Sequence, residues 1–214
     1  MADMHGHLPY VGDIPKGDLL LIAGDVCPVW NHEKKFTADW LRGAFTDWLH
    51  EVPFPQIVGI SGNHDFVLDE SKIGYELPWN FLISDSVVID GLKIWGSPMT
   101  PKFGNWASMA PDHILHMVWD TIPEDVDILM VHGPAYMYGD TVNNDWSIDK
   151  HAGSKSLAER LENGLPNLKL FVWGHIHEAY GRYDTPGRIQ ANVSILNEHY
   201  EVVNEPMVFE IANP

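Results

Sequence analysis

The sequence predicts an α/β protein with two packed sheets, and three observations predict it. Short apolar runs recur along the chain and end in polar motifs. Runs such as LLLIAG (19–24) and LKLFVW (168–173) are apolar nearly throughout, as in central strands covered on both faces. Segments with helical spacing lie between such runs, and alternating strands and helices mark the α/β class. Later strand-rich stretches predict a second sheet packed on the first.

The elements follow in order. DLLLIAGD (18–25) reads as a buried strand closing on Gly24-Asp25. Over 32–51, Phe36, Trp40, Leu41, Phe45, Trp48 and Leu49 fall on one helical face. PQIVGISGNHD (55–65) is a second buried strand with a polar end. NFLISDS, VVID and LKIWGS (80–97) are short strands around an Asp90-Gly91 hairpin turn. Residues 99–118 form a loop and then a helix. VDILMVHGP (126–134) is a strand ending at His132. Residues 152–163 are helical, with Leu157 and Leu161 four apart. LKLFVWGHIH (168–177) is a strand ending at His175-x-His177, and RIQANVSI and PMVFEI are the closing strands.

Composition narrows the function. A chain of 214 residues, 45% hydrophobic and 20% charged, fits one folded domain spanning 1–214. Cys27 is the only cysteine, so no intrachain disulfide forms. No basic segment leads into an apolar one at the N-terminus, and no apolar run is long enough to span a bilayer. A soluble cytoplasmic protein without a membrane partner is expected. Net charge is −17, from 13 Lys+Arg against 30 Asp+Glu. Such a surface repels phosphate backbones, so no broad nucleic-acid surface is expected. Small phosphate compounds stay open as substrates if cations reverse the field locally.

Four strands end in groups of metal-ligand type: Asp25, Asn63-His64, His132 and His175-x-His177. Ligands of open α/β sheets bind beyond the carboxyl ends of the strands, so these motifs converge. Asp3-x-His5 is a fifth if a strand precedes it. Singly, each motif reads as a turn or a structural histidine. Together, and in this order, they read as a site. Mixed oxygen and nitrogen donors without thiolates suit Mn, Fe, Zn, Co or Ni. So many donors fit two ions about 3.5–4 Å apart, a pair that binds and deprotonates a water and neutralises phosphoryl charge.

The order Asp3-Met4-His5, Gly24-Asp25, Gly62-Asn63-His64-Asp65, His132 and Gly174-His175-Ile176-His177 resembles the calcineurin-like metallophosphoesterases over nearly the whole chain. VHGP, HAGS (151–154), GHIHEAYG and ANVS look most like the branch of metallophosphoesterase-domain phosphodiesterases found in animals, bacteria and phages, and the bacterial and phage type in particular. The resemblance implies a four-layer α-β-β-α sandwich of two mixed sheets flanked by helices. It implies two divalent ions, with Mn the most useful in vitro. Asp3, His5 and His177 would hold the first ion, Asp25 would bridge, and Asn63, His132 and His175 would hold the second. His64 would not ligate. It would stabilise the phosphate, with Asn63 beside it, and act as general acid for the leaving oxygen. The implied reaction is hydrolysis of small phosphodiesters such as cyclic nucleotides by a metal-bridging hydroxide. A phosphomonoesterase, a nucleotide pyrophosphatase and a non-catalytic binding module that keeps the fold are the alternatives.

The chain departs from the family in two places. GDVCPVW stands where the protein-phosphatase branch has Gly-Asp-x-x-Asp-Arg-Gly, which removes the usual Asp partner of the catalytic histidine. Only Met1-Ala2 precede Asp3, where about five apolar residues of a central strand are usual. Either the natural chain starts upstream or the first strand is largely missing. The gap is then expected to be filled by another segment, by a neighbouring chain or by water, and a poor filling would weaken the first ion.

Further candidates remain. His151 is placed near the site as a substrate contact, and His7 as an exposed loop residue. His113 and His116 read as structural or surface residues, and His32, His50 and His199 carry no functional context. Cys27 reads as packing. Trp106, Tyr136, Tyr138 and Trp146 stand in loops where they either stack a nucleobase or pin the loop.

Overall fold

The computed structural model describes residues 1–69, 76–142 and 150–212. The first strand, β1 (Leu19–Ala23), is followed by helix α1 (Lys34–Trp40), a five-residue π turn (Leu41–Phe45) and helix α2 (Thr46–Glu51). The predicted helical face over 32–51 is present but broken by that π turn. The Thr46 hydroxyl donates to Leu41 O five residues back, at 2.8 Å. The extra residue per turn sets Phe45 in a stack between Trp40 at 5.5 Å and Trp48 at 6.0 Å. Next come β2 (Gln56–Ile60), the short helix α3 (Phe66–Asp69) and β3 (Asn80–Phe81). β1, β2 and β3 pair in parallel as a three-stranded sheet.

The hairpin β4 (Asp85–Ile89) and β5 (Leu92–Ser97) turns at Asp90 and Gly91, both with positive φ, as predicted. Two short strands, β6 (Thr100–Pro101) and β7 (Met109–Ala110), close a loop ahead of helix α4 (Asp112–Trp119). The chain continues through β8 (Ile128–Val131), α5 (Lys155–Asn163), β9 (Leu170–Trp173), β10 (Gly181–Arg182) and β11 (Ile189–Asn192). The second sheet is six-stranded and mixed, in the order β10-β11-β9-β8-β5-β4.

The alternation within strands builds the layers. In β8, Ile128 and Met130 enter the core between the sheets, while Leu129 and Val131 pack outward with α4 and α5. In β9, Leu170 and Val172 point inward, and Phe171 and Trp173 outward. In β1, Leu20 and Ile22 join the cluster with Leu41, Phe45 and Trp48 of the first helical layer. Helices thus cover the outer face of each sheet, which gives the α-β-β-α sandwich. Strands buried on both faces explain why these runs read as unbroken apolar stretches.

Met1-Ala2 lie where the resemblance places a central strand, between β1 and the residues after β11. Ala23 N donates to Met1 O at 2.9 Å and Asp3 N to Gly24 O at 3.0 Å. On the other side Ala2 N donates to Val193 O at 2.9 Å and Ile195 N to Ala2 O at 3.0 Å. The residues after β11 therefore leave the second sheet and continue the first, with Ala2 between them and β1. PMVFEI (206–211) is not a strand. Met207, Phe209 and Ile211 pack against the inter-sheet core while Val208 and Glu210 face out, so the alternation is that of an extended segment without a ladder. Among the described residues no helix is long and apolar enough to cross a membrane.

Candidate metal centre

The strand ends deliver two groups of donors to one place. Asp3, His5 and His177 form one, and Asp25, His132 and His175 the other, with the donor atoms of each group within 4.8 Å of one another. Asp3 follows the bridge at Ala2, Asp25 follows β1, His132 follows β8, and His175 and His177 follow β9. Asn63, after β2, sets its Oδ1 3.0 Å from His132 Nε2. Asp25 lies between the groups: its Oδ2 is 3.6 Å from His5 Nε2 and 3.3 Å from His132 Nε2. Every predicted ligand is thus present in the cluster.

Hydrogen bonds behind the cluster aim the donors inward. His132 Nδ1 lies 2.9 Å from Ala23 O, and His177 Nδ1 lies 2.9 Å from Asn197 O. A carbonyl only accepts, so each Nδ1 carries the proton and each Nε2 presents a lone pair to the site. Asp3 Oδ2 accepts from the His175 backbone N–H at 2.9 Å and from the Ser194 hydroxyl. Asp65 does not support His64. Its carboxylate turns away to accept from the N–H groups of Val26, Cys27 and Gly62, tying the β1 and β2 loops together.

These lone pairs need a cation. His5 Nε2 and His177 Nε2 face each other at 3.3 Å, and His132 Nε2 faces two oxygen acceptors. Among the described residues, Asp3 Oδ1 and His5 Nδ1 are buried without a hydrogen-bond partner. Protons fill part of the role in the bare protein. Burial pushes His132 and His177 down, but Asp25 and Asp3 outweigh it and hold them at about 9. Burial carries His5 down to about 4 and His175 to about 3. Burial opposes ionisation of Asp3 and Asp25, yet their histidine neighbours hold Asp3 at about 2 and Asp25 well below the ordinary range. A donor set of this kind fits divalent cations of borderline hardness.

His64 stands at the open side of the cluster. Its backbone N–H donates to Asp25 Oδ1 at 2.8 Å, and its ring packs edge-on against His5 at 4.9 Å. Trp106 lies 4.3 Å away on another side and His32 5.5 Å away. Packing against rings therefore orients His64 in place of the missing aspartate. Burial lowers its pKa; Asp25 opposes that, while His32 and His132 add to it.

Sequence reasoning missed several neighbours. His32, left without context, sits beside His64, and Tyr200 lies 5.0 Å from His5 and 5.2 Å from His177. Ser194 and the Asn197 carbonyl act behind the ligands, although ANVS had marked the segment as motif-bearing. His151 lies just ahead of α5, with Nδ1 2.9 Å from Asp140 Oδ1 and its ring 4.9 Å from Tyr136. Tyr136 and Tyr138 pack on the outer core, pinning their loop. His7, His50, His113, His116 and His199 are exposed. Trp146 lies outside the described residues.

The sequence profile of calcineurin-like phosphoesterases matches residues 1–179. The chain belongs to the calcineurin-like phosphoesterase family. This family of metal-dependent phosphoric ester hydrolases binds two divalent metals, which agrees with the two donor groups. The chain is 28% identical over 243 residues to metallophosphoesterase domain-containing protein 1 of Homo sapiens, covering 100% of this chain and 70% of that protein. The Mus musculus protein of the same name matches equally. A Caenorhabditis elegans UPF0046 protein is 28% identical over 97% of this chain and 58% of its own length. A solved crystal structure shares the fold with a TM-score of 0.53 at 14% identity, over 83% of this chain and 79% of that one.

Proposed function

We propose that this family member is a dinuclear phosphodiesterase acting on small phosphodiesters such as cyclic nucleotides, in the branch of the metallophosphoesterase-domain phosphodiesterases. The observation that carries the dinuclear reading is Asp25, whose Oδ2 lies between His5 Nε2 at 3.6 Å and His132 Nε2 at 3.3 Å, as a bridging carboxylate must. Asp3, His5 and His177 would hold one ion and Asn63, His132 and His175 the other, with Asp25 placed between the two groups. Bound there, divalent ions such as Mn²⁺ neutralise phosphoryl charge and lower the pKa of a water.

The chain's own groups do the rest. The backbone contact from His64 to Asp25 fixes the imidazole at the rim of the cluster. Its Nδ1 is buried without a partner among the described residues. A water oxygen attacks phosphorus and its proton passes to solvent, the P–O bond on the far side breaks, and the imidazolium of His64 gives its proton to the departing oxygen and is reprotonated from solvent. Protonation of a poor leaving group contributes about 10²–10⁴-fold. An anionic ester beside the ring favours that imidazolium and offsets the effect of burial. Asp25→Ala and His64→Ala are each expected to abolish turnover of bis(p-nitrophenyl) phosphate by Mn²⁺-loaded protein. Wild-type turnover by either variant would overturn the mechanism. Equal rates on p-nitrophenyl phosphate would shift the reading to a monoesterase.

A further inference from the structure

Beside His64 the chain builds an aromatic cleft that the chemistry at phosphorus leaves unused. Its volume is about 550 Å³, within the range of ligand sites, and it is lined by His32, Lys34, Phe66, Asn105 and Trp106. Three distant segments meet there: the end of the loop after β1 with the start of α1, the start of α3, and the loop between β6 and β7. The rings surround one space. Trp106 lies 6.1 Å from Phe66 and 6.0 Å from His32, and His32 lies 6.2 Å from Phe66. The arrangement is anchored to the metal centre, because Ala107 N donates to Asn63 O at 3.0 Å. Thr100 N and Lys102 N close the same loop on Ser108 O and Ala110 O.

Core packing does not account for these rings. Trp95, Trp119 and Trp173 are each 1% exposed or less, whereas Trp106 and Phe66 stay half-open onto the cleft and His32 is exposed. Aromatic pairs at centroid spacings of about 4.5–7 Å attract through face and edge, and a third flat ring entering such a group gains the same contacts. The polar lining is Asn105, an amide able to donate and accept, and Lys34, a cation in a chain of net charge −17.

We propose that this cleft is the leaving-group subsite and that it takes a planar aromatic ring, either a nucleobase or an aryl group. The assignment rests on the reading of His64 as general acid. If His64 protonates the departing oxygen, the group carried by that oxygen extends past His64, and the Trp106 cleft is the space adjoining it there. The amide and cation at the rim suit the hydrogen-bonding edge of a heteroaromatic base. A purely aliphatic leaving group leaves the rings uncovered. The cleft therefore sets which diester is turned over, while the metal centre sets what is done to it.

The test compares 2′,3′-cyclic adenosine monophosphate with glycerol 1,2-cyclic phosphate, which has the same cyclic ester and no base. In Mn²⁺-loaded wild type, kcat/KM is expected to favour the nucleotide. That ratio should fall about tenfold or more in Phe66→Ala and Trp106→Ala, the loss typical of one ring stack, and be kept by Trp106→Phe. A second readout needs no turnover. Adenosine, which has no phosphate, should shift the Trp106 indole N–H signal in the ¹⁵N NMR spectrum, and ribose should not. A shift with adenosine in a chain that hydrolyses none of the esters supports the cleft and rejects the phosphoesterase reading. A shift with p-nitrophenol and none with adenosine assigns the ring as aryl. Turnover with an unchanged ratio in both alanine variants, or no Trp106 shift with either ring, would overturn the proposal.

Discussion

Asp3, His5, Asp25 and His175 all carry positive φ, at 54°, 45°, 51° and 68°. Such backbone costs on the order of 1 kcal/mol or more per residue and is concentrated at functional sites. Here it turns each side chain into the cluster directly after an extended segment. The turns also press backbone against carboxylates. A Cβ on Gly174 would lie 2.3 Å from Asp3 Oδ2, and one on Gly62 would lie 2.2 Å from Asp25 Oδ1. Gly174→Ala is therefore expected to displace Asp3 and lose the first ion while the fold persists. Metal content by mass spectrometry, with circular dichroism as control, checks this. Ser194 acts more gently, holding Asp3 Oδ2 from behind. Ser194→Ala should weaken metal binding about 10–100-fold in a calorimetric titration, the usual effect of removing a ligand's supporting hydrogen bond.

At the scale of elements, the second helical layer is held by a buried polar knot. Ser154 caps α5, its hydroxyl accepting from Leu157 N at 3.0 Å and from Trp119 Nε1 at 3.0 Å while donating to Asp112 Oδ1 at 2.6 Å. Asp112 also accepts from Ser156 Oγ at 3.0 Å, so the start of α4 and the start of α5 share one network. Ser154 is 1% exposed, and its removal leaves an indole N–H and a helix N–H unmet. Ser154→Ala should cost about 1–3 kcal/mol, read as a lower urea midpoint. HAGS was visible in the sequence only as a family-like tetrapeptide; its role as a cap joining two helices depends on Trp119 and Asp112 arriving from 35 and 42 residues away.

For the whole molecule, the site links stability to pH and to metal. In chelated protein His132 and His177 titrate at about 9 instead of 6.5. Between those values the folded chain holds more protons than the unfolded one, so stability present below pH 6.5 is lost as pH rises toward 9. The buried Met1 amine, lowered from 8.0 to about 5 by burial, opposes this up to pH 8 with one proton against two. A chelated sample should therefore melt at a lower temperature at pH 9 than at pH 6.5, with most of the loss above pH 8. Divalent ions replace those protons, so Mn²⁺-loaded protein should not show the loss, and loading near pH 7.5 should release protons in proportion to metal bound. Met1-Ala2 meet both neighbouring segments with backbone hydrogen bonds, so the condition under which the first ion would be weakened, a poorly filled gap, is not met.

The order of motifs by itself determined the family, the layered α/β class and the candidate ligands Asp3, His5, Asp25, Asn63, His132, His175 and His177. Each of those motifs is local, an apolar run and the few residues after it, and strand ends share one side of a sheet whatever joins them. Only tertiary structure decided the rest. His5 and His177 meet across 172 residues, and no periodicity encodes that. PMVFEI has the alternation of a strand but not its ladder, because alternation records burial on one face and pairing needs a neighbour with free N–H and C=O groups. His32 carries no functional context in the chain and Trp106 reads there only as a loop aromatic that stacks a base or pins its loop; with Phe66 they become a cleft only when three segments close beside His64. Asp3 lies two residues from the chain end, yet it is held still. Ala2 is hydrogen-bonded to Val193 and Ile195, Met1 and Asp3 are hydrogen-bonded to Ala23 and Gly24, and two donors fix the Asp3 carboxylate.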